Sequence, residues 1–118
     1  MKDFFKNKTI LVTGGTGSFG KTFVNKILEN FNPKKIIIFS RDELKQYEME
    51  TKLHKHKTRL RFFIGDIRDR DRIILACKNV DYLVHTAALK HISSGEYNPF
   101  EVIKTNIIIL ETSKRFLL

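Results

Sequence analysis

An α/β fold with a parallel sheet is the architecture this sequence predicts, and three observations predict it. Apolar periodicity switches back and forth between two and 3.6 along the chain, so short strands alternate with helices. The connections between these segments are short, and no internal repeat, low-complexity tract or Pro/Gly linker interrupts them. A glycine-rich turn follows the first strand. Alternation of this kind builds a parallel sheet with right-handed crossovers, and 118 residues suffice for one such domain, residues 1–118, with a modest core.

Each element has its own reason. Thr9–Thr13 (TILVT) is a short apolar run with the character of a buried strand. The next helix, Phe19–Phe31, sets Phe19, Phe23, Val24, Ile27, Leu28 and Phe31 on one stripe, with Pro33 beyond its end. Lys35–Phe39 (KIIIF) is a second buried strand. Asp42–Lys55 reads as a polar helix with few apolar anchors, Leu44, Tyr47 and Leu53 among them. Leu60–Ile64 (LRFFI) is the third strand, and Asp69 opens a helix through Ile73, Ile74 and Cys77. Asp81–His85 (DYLVH) is the fourth strand. A last helix starts at Asn98 as N-cap, with Pro99 in the first helical position and Glu101 placed to bond back to the cap amide. It is expected to run through Val102, Ile103 and Ile107.

Composition narrows the class. Hydrophobic residues at 42% and charged residues at 30% are ordinary for a globular protein and argue against disorder. The longest aliphatic run, Ile107–Leu110, is far too short to span a bilayer. No apolar signal-peptide core follows Met1. Cys77 is the only cysteine, which fits a reducing compartment, so a cytoplasmic protein without a membrane partner is the expectation. The net charge of +9 includes a dense run at Lys52–Arg61. A solvated helix end and loop account for that run, and no zinc-finger spacing or RNP motif accompanies it, so no nucleic-acid partner is expected. His54 and His56 lie two apart and do not share a helix face, so they propose no metal site.

The glycines carry the chemistry. Gly15-Thr16-Gly17-Ser18-Phe19-Gly20 matches G-x-G-x-x-G between a strand and an amphipathic helix, the context in which that motif is informative. Bare backbone N–H groups at a helix mouth bind phosphate, and the helix dipole favours the anion. Gly17 allows close approach of a pyrophosphate, and Gly20 close packing of helix on sheet. The candidate cradle is therefore Gly14, Thr16, Gly17, Ser18, Phe19 and Gly20.

The end of the second strand selects the cofactor. A carboxylate there would favour an unmodified ribose, whereas this chain reads Ser40-Arg41-Asp42. Arg41 can pair with a 2′-phosphate in a fork and Ser40 can donate to it, so NADP is expected over NAD. Asp42 fits either a ribose acid or the N-cap of the following helix. Asp66, after the third strand, fits either an adenine contact or a turn aspartate.

TGGTGSFG, SRDELKQ at 40–46, RFFIGDIRD at 61–69, HTAALKH at 85–91 and EYNPFEVIKTN at 96–106 together resemble the extended short-chain dehydrogenase/reductase superfamily. Within it they are similar to nucleotide-sugar 4,6-dehydratases of the polysaccharide-biosynthesis type, which act on UDP-N-acetylglucosamine. The resemblance implies a Rossmann-type parallel sheet in strand order 3-2-1-4, helices on both faces, here truncated. It implies that Gly14, Gly17 and Gly20 hold the pyrophosphate and that Ser40, Arg41 and Lys45 read the 2′-phosphate. By the same resemblance Asp66 and Ile67 flank the adenine, Ala87, Ala88 and Lys90 lie along the nicotinamide, and Asn106 orders the neighbouring helix.

Two departures qualify that reading. After His91 the chain runs Ile92-Ser93-Ser94-Gly95, where the family has valine and proline before the glutamate. The family's Tyr-x-x-x-Lys pair is also missing: Tyr47, Tyr82 and Tyr97 are followed four residues on by Thr51, Thr86 and Glu101. The expectation is an N-terminal, NADP-binding part of such an enzyme, with no catalytic residue of its own and inactive alone. A UDP-sugar partner is expected only when the C-terminal part is supplied. The competing expectation is a non-catalytic dinucleotide-binding module, or one that forms a homo-oligomer through an unpaired edge at the fourth strand.

Overall fold

The computed structural model describes residues 3, 5–85, 106–110 and 115–117. Five parallel strands and one antiparallel strand form a single sheet in the order β3-β2-β1-β4-β5-β6. The strands are β1 (Thr9–Thr13), β2 (Lys35–Ser40), β3 (Leu60–Ile64), β4 (Tyr82–His85), β5 (Asn106–Leu110) and β6 (Arg115–Leu117). The helices are α1 (Ser18–Asn30), α2 (Glu43–Lys52) and α3 (Arg70–Ala76), with a 3-10 turn at His54–Arg59. The first four strands adopt the expected order 3-2-1-4.

Alternation along each strand sorts the core onto two faces. Ile10, Val12, Ile36, Ile38, Leu60 and Val84 point to one face and meet Val24, Ile27 and Leu28 of α1 and Met49 of α2. Leu11, Ile37, Phe39, Phe63 and Leu83 point to the other and meet Ile73 and Ala76 of α3. Each fully buried Ile or Leu of these layers contributes about 2 kcal/mol of transfer free energy. Helices therefore cover both faces, as expected.

The sheet's amino end is closed by the N-terminal segment. Phe5 meets Phe23, Phe31 and Tyr82 edge to face, with ring centroids 6.5, 5.3 and 5.9 Å apart. Asp81 joins the start of β4 to the start of β1: its Oδ2 accepts from Thr9 N at 2.9 Å, and its own N donates to Thr9 O at 2.9 Å.

Three expectations are corrected. Residues 106–110 form a strand beside β4, pairing Tyr82 with Asn106 and Leu83 with Ile107, where the last helix was expected to continue through Ile107. Three consecutive isoleucines favour a strand on β-branching alone. The proposed helix start at Asn98, Pro99 and Glu101 lies outside the described residues. Because β5 pairs with β4, the fourth strand is not an edge, which removes the premise for association through it. Finally, Leu44 and Tyr47 do not anchor α2: they are 65% and 66% exposed, and the buried positions are Gln46 and Met49.

Candidate functional site

The sheet's order turns back on itself between β1 and β4. From β1 the chain goes to β2 and β3 on one side, then returns through α3 to the other side. Ligands of such sheets bind outside the carboxyl ends of the strands at this point. The glycine turn sits there.

Gly14 leaves β1 with φ 67°, a left-handed conformation that glycine adopts without strain. Its N–H donates to Phe39 O at 3.0 Å, tying the turn to the end of β2, and its carbonyl accepts from Gly17 N at 3.0 Å. Gly17 is the N-cap of α1, makes no side-chain capping hydrogen bond, and the first turn carries no acidic residue. The first amides of α1 thus keep their donors from any N-cap side chain, and no acidic residue of the helix's own first turn offsets the positive end of its dipole.

The glycines divide the work. A Cβ on Gly20 would run into the carbonyl oxygen of Gly14 and come within 2.6 Å of Gly15 Cα, so Gly20 lets α1 press onto the turn. A Cβ on Gly17 would meet only Gly14 O, at 3.4 Å. Among the described residues Gly17 is therefore not required for packing, and nothing else stands against its outer side. Thr16 is buried and Ser18 exposed, its carbonyl accepting from Thr22 Oγ1 at 3.0 Å. The glycine turn and its uncapped helix start fit a dinucleotide.

Beside the turn, a cavity of about 340 Å³ is lined by Gly14, Phe39, Ser40, Arg41, Gly65, Asp66, Ile67 and Arg68. Five of the residues singled out in the sequence (Gly14, Ser40, Arg41, Asp66 and Ile67) meet there. Asp66 carries its electrostatics. Arg68 donates to it from its backbone N (2.8 Å), Nε (3.2 Å) and Nη2 (3.0 Å), while Arg41 Nη1 stands 3.6 Å from Oδ2. The side-chain hydrogen bond from Arg68 outweighs partial burial and, with the charge of Arg41, holds the Asp66 carboxyl down at about 2. Asp42 is the N-cap of α2: its Oδ1 accepts from Lys45 N at 3.0 Å.

Lys45 lines a neighbouring cleft of about 260 Å³ between α1 and α2, with Lys21, Asn25, Glu48, Met49, Lys52 and Leu53. Phe19 is the second residue of α1. Ala87, Ala88 and Lys90 lie outside the described residues.

Two residues escaped the sequence reading. Arg68 could have been found from its place two positions after Asp66, the spacing of an Asx turn. Gln46 had no such signal. Its Nε2 donates to Ser40 Oγ (2.9 Å), Phe63 O (3.1 Å) and Ser40 O (3.3 Å), fastening the carboxyl ends of β2 and β3 under the cavity. Among the described residues no group of histidine, cysteine and acidic side chains could hold a metal ion. No described helix is long and apolar enough to cross a membrane.

A parallel 3-2-1-4 sheet with a glycine cradle at its switch point defines a dinucleotide-binding protein of the short-chain dehydrogenase/reductase type. Within that class the chain belongs to the polysaccharide biosynthesis protein family, which it matches over residues 10–114. It is 55% identical over 103 residues to a UDP-N-acetylglucosamine 4,6-dehydratase (inverting) of Campylobacter jejuni, covering 87% of this chain and 30% of that protein. Among solved structures it is similar to Pen from Bacillus thuringiensis, with a TM-score of 0.69 and 44% identity over 83% of this chain and 31% of that one. It is also similar to dTDP-glucose 4,6-dehydratase from Bacillus anthracis in complex with NAD, with a TM-score of 0.60 and 28% identity over 70% of this chain and 27% of that one. The chain spans about 30% of the length of the curated relative it matches.

Proposed function

We propose that this chain is the NADP-binding part of a nucleotide-sugar 4,6-dehydratase of the UDP-N-acetylglucosamine class, in surface-polysaccharide or glycan-precursor synthesis. The observation that carries the reading is the junction of the uncapped α1 N-terminus with the cavity holding Ser40, Arg41 and Asp66. The cradle amides and Gly17 take the pyrophosphate, Ser40 and Arg41 the 2′-phosphate, and Asp66 with Ile67 the adenine. Because Gln46 donates to Ser40 Oγ, the serine's own proton is left to donate toward the cavity. Lys45, one turn into α2, adds positive charge nearby.

When bound, the dinucleotide supplies a reversible hydride acceptor, by which a 4,6-dehydratase oxidises C4 of the sugar, loses water across C5–C6 and reduces C6. The proton transfers of that sequence need a base such as the family's tyrosine, and residues 1–118 contain no Tyr-x-x-x-Lys. The chain therefore binds without turning over. Ala87, Ala88 and Lys90 are proposed along the nicotinamide, and the single cysteine fits a cytoplasmic setting.

Thermal-shift titrations with NADP⁺ and NAD⁺ test the binding. Stabilisation by NADP⁺ at lower concentration than by NAD⁺ is expected. No stabilisation by either at millimolar concentration would overturn the reading, and dehydration of UDP-N-acetylglucosamine by this chain alone would overturn the inactivity.

A further inference from the structure

A carboxylate sits inside the cavity proposed to receive a phosphate. Asp66 is 31% exposed and ionised, and a 2′-phosphate brought near it would be repelled. Arg41 alone could not remove that conflict, since pairing with Asp66 would withdraw it from the phosphate.

Arg68 is placed to remove it. Its guanidinium spans both carboxylate oxygens, Nε to Oδ1 at 3.2 Å and Nη2 to Oδ2 at 3.0 Å, and its backbone N holds Oδ1 at 2.8 Å. Arg41 makes only the longer 3.6 Å approach, and its side chain is 70% exposed. The neighbouring arginine cannot substitute: Arg72 Nε donates to Ile64 O at 2.8 Å, and its guanidinium lies 4.3 Å from the centre of the Phe63 ring. The nearby Asp69 is committed to capping α3 through Arg72 N at 3.2 Å.

We propose that Arg68 is a specificity-determining residue, whose fork on Asp66 neutralises the carboxylate and leaves Arg41 for the 2′-phosphate of NADP. Asp66, Arg68 and Arg41 together carry one net positive charge; without Arg68 the cluster is neutral and Arg41 is held by Asp66. The selectivity thus lies in a residue that need not touch the cofactor. The proposal rests on the NADP reading above.

The test is titration calorimetry of the chain with NADP⁺ and with NAD⁺ at low salt, for the wild type and for Arg68→Met, Arg68→Lys, Asp66→Asn and the Asp66→Asn/Arg68→Met double variant. Arg68→Met is expected to lose about tenfold in NADP⁺ affinity with NAD⁺ affinity changed by less than about twofold. Arg68→Lys keeps the charge and recovers most of the preference. In the Asp66→Asn background, Arg68→Met leaves the ratio of the two affinities unchanged, an outcome that a merely structural role for Arg68 would not give. Equal loss for both cofactors, or a full effect in the Asp66→Asn background, overturns the proposal. A wild-type preference for NADP⁺ that Arg68→Met leaves intact overturns this inference alone, and no wild-type preference overturns the NADP reading with it.

Discussion

Thr13 and His85 face each other across β1 and β4, with Thr13 Oγ1 and His85 Nδ1 2.6 Å apart. Each is 1% exposed. They are the last residues of the two strands between which the sheet order turns back, so this polar contact lies at the switch point, directly before Gly14 begins the cradle. A buried polar pair at the end of two otherwise apolar strands fixes their relative position beside the proposed cofactor site.

That burial makes the fold acid-sensitive. It holds His85 at about 4, below the ordinary 6.5. As pH falls through 6.5 the unfolded chain takes up a proton that the folded chain refuses until about 4. Stability is therefore full above 6.5 and declines over that window, by about 3 kcal/mol in all. His85→Asn removes the titration. Urea melts between pH 7 and pH 4 should show a steeper loss in the wild type than in His85→Asn, and parallel slopes would refute the assignment.

Gly17 and Gly20 predict opposite phenotypes. Gly20→Ala forces a methyl into the backbone of Gly14 and Gly15 and should destabilise the chain by about 3 kcal/mol. Gly17→Ala meets one atom at 3.4 Å and should cost under about 1 kcal/mol, yet its methyl stands where the pyrophosphate is proposed. Urea unfolding with and without NADP⁺ separates them: Gly17→Ala keeps the intrinsic stability and loses the stabilisation by cofactor. A Gly17→Ala chain still stabilised like the wild type would move the phosphate elsewhere.

Much of this was legible in the sequence because it is local. TILVT and KIIIF are apolar and β-branched, and each feeds a helix, so the parallel order follows from the crossover rule. The glycine turn was legible for the same reason: its spacing and its flanks lie within a dozen residues. Burial on α2 was not. Leu44 and Tyr47 face solvent while Gln46 turns inward beside Met49, because the inward position at the end of β2 presents carbonyls to which the Gln46 amide donates and an apolar side chain would not. Residues 106–110 failed for another reason. A persuasive helix start at Asn98 outweighed the β-branched run Ile107–Ile109, and a strand partner 24 residues upstream, Tyr82 for Asn106, is not visible in local pattern.

Cys77 reports on opening of α3. Burial pushes its thiol up to about 11, so near pH 8 little thiolate is present and the sulfur is partly covered. Alkylation by iodoacetamide in native buffer should be at least about tenfold slower than in urea. Its urea dependence should follow the unfolding curve. Equal rates in both conditions would show that α3 does not protect the sulfur.

Gln46 offers the sharpest test of what holds the carboxyl ends of β2 and β3 together. Its side chain is buried at 4% exposure and its Nε2 hydrogens are shared among Ser40 Oγ, Phe63 O, Ser40 O and, at 3.4 Å, Ile38 O. Gln46→Met keeps the volume but leaves those acceptors without the amide, which should destabilise the chain by about 2 kcal/mol. Gln46→Glu is worse at neutral pH, since a carboxylate would face carbonyl oxygens in a buried place, and it should recover partly as acid protonates it. Tyr47→Ala, one residue along the same helix but 66% exposed, should stay within about 0.5 kcal/mol of the wild type. Urea midpoints at constant m-value give the comparison. If Gln46→Met and Tyr47→Ala shift the midpoint equally, the amide does not join β2 to β3, and the geometry of Ser40 must be set by the strands alone.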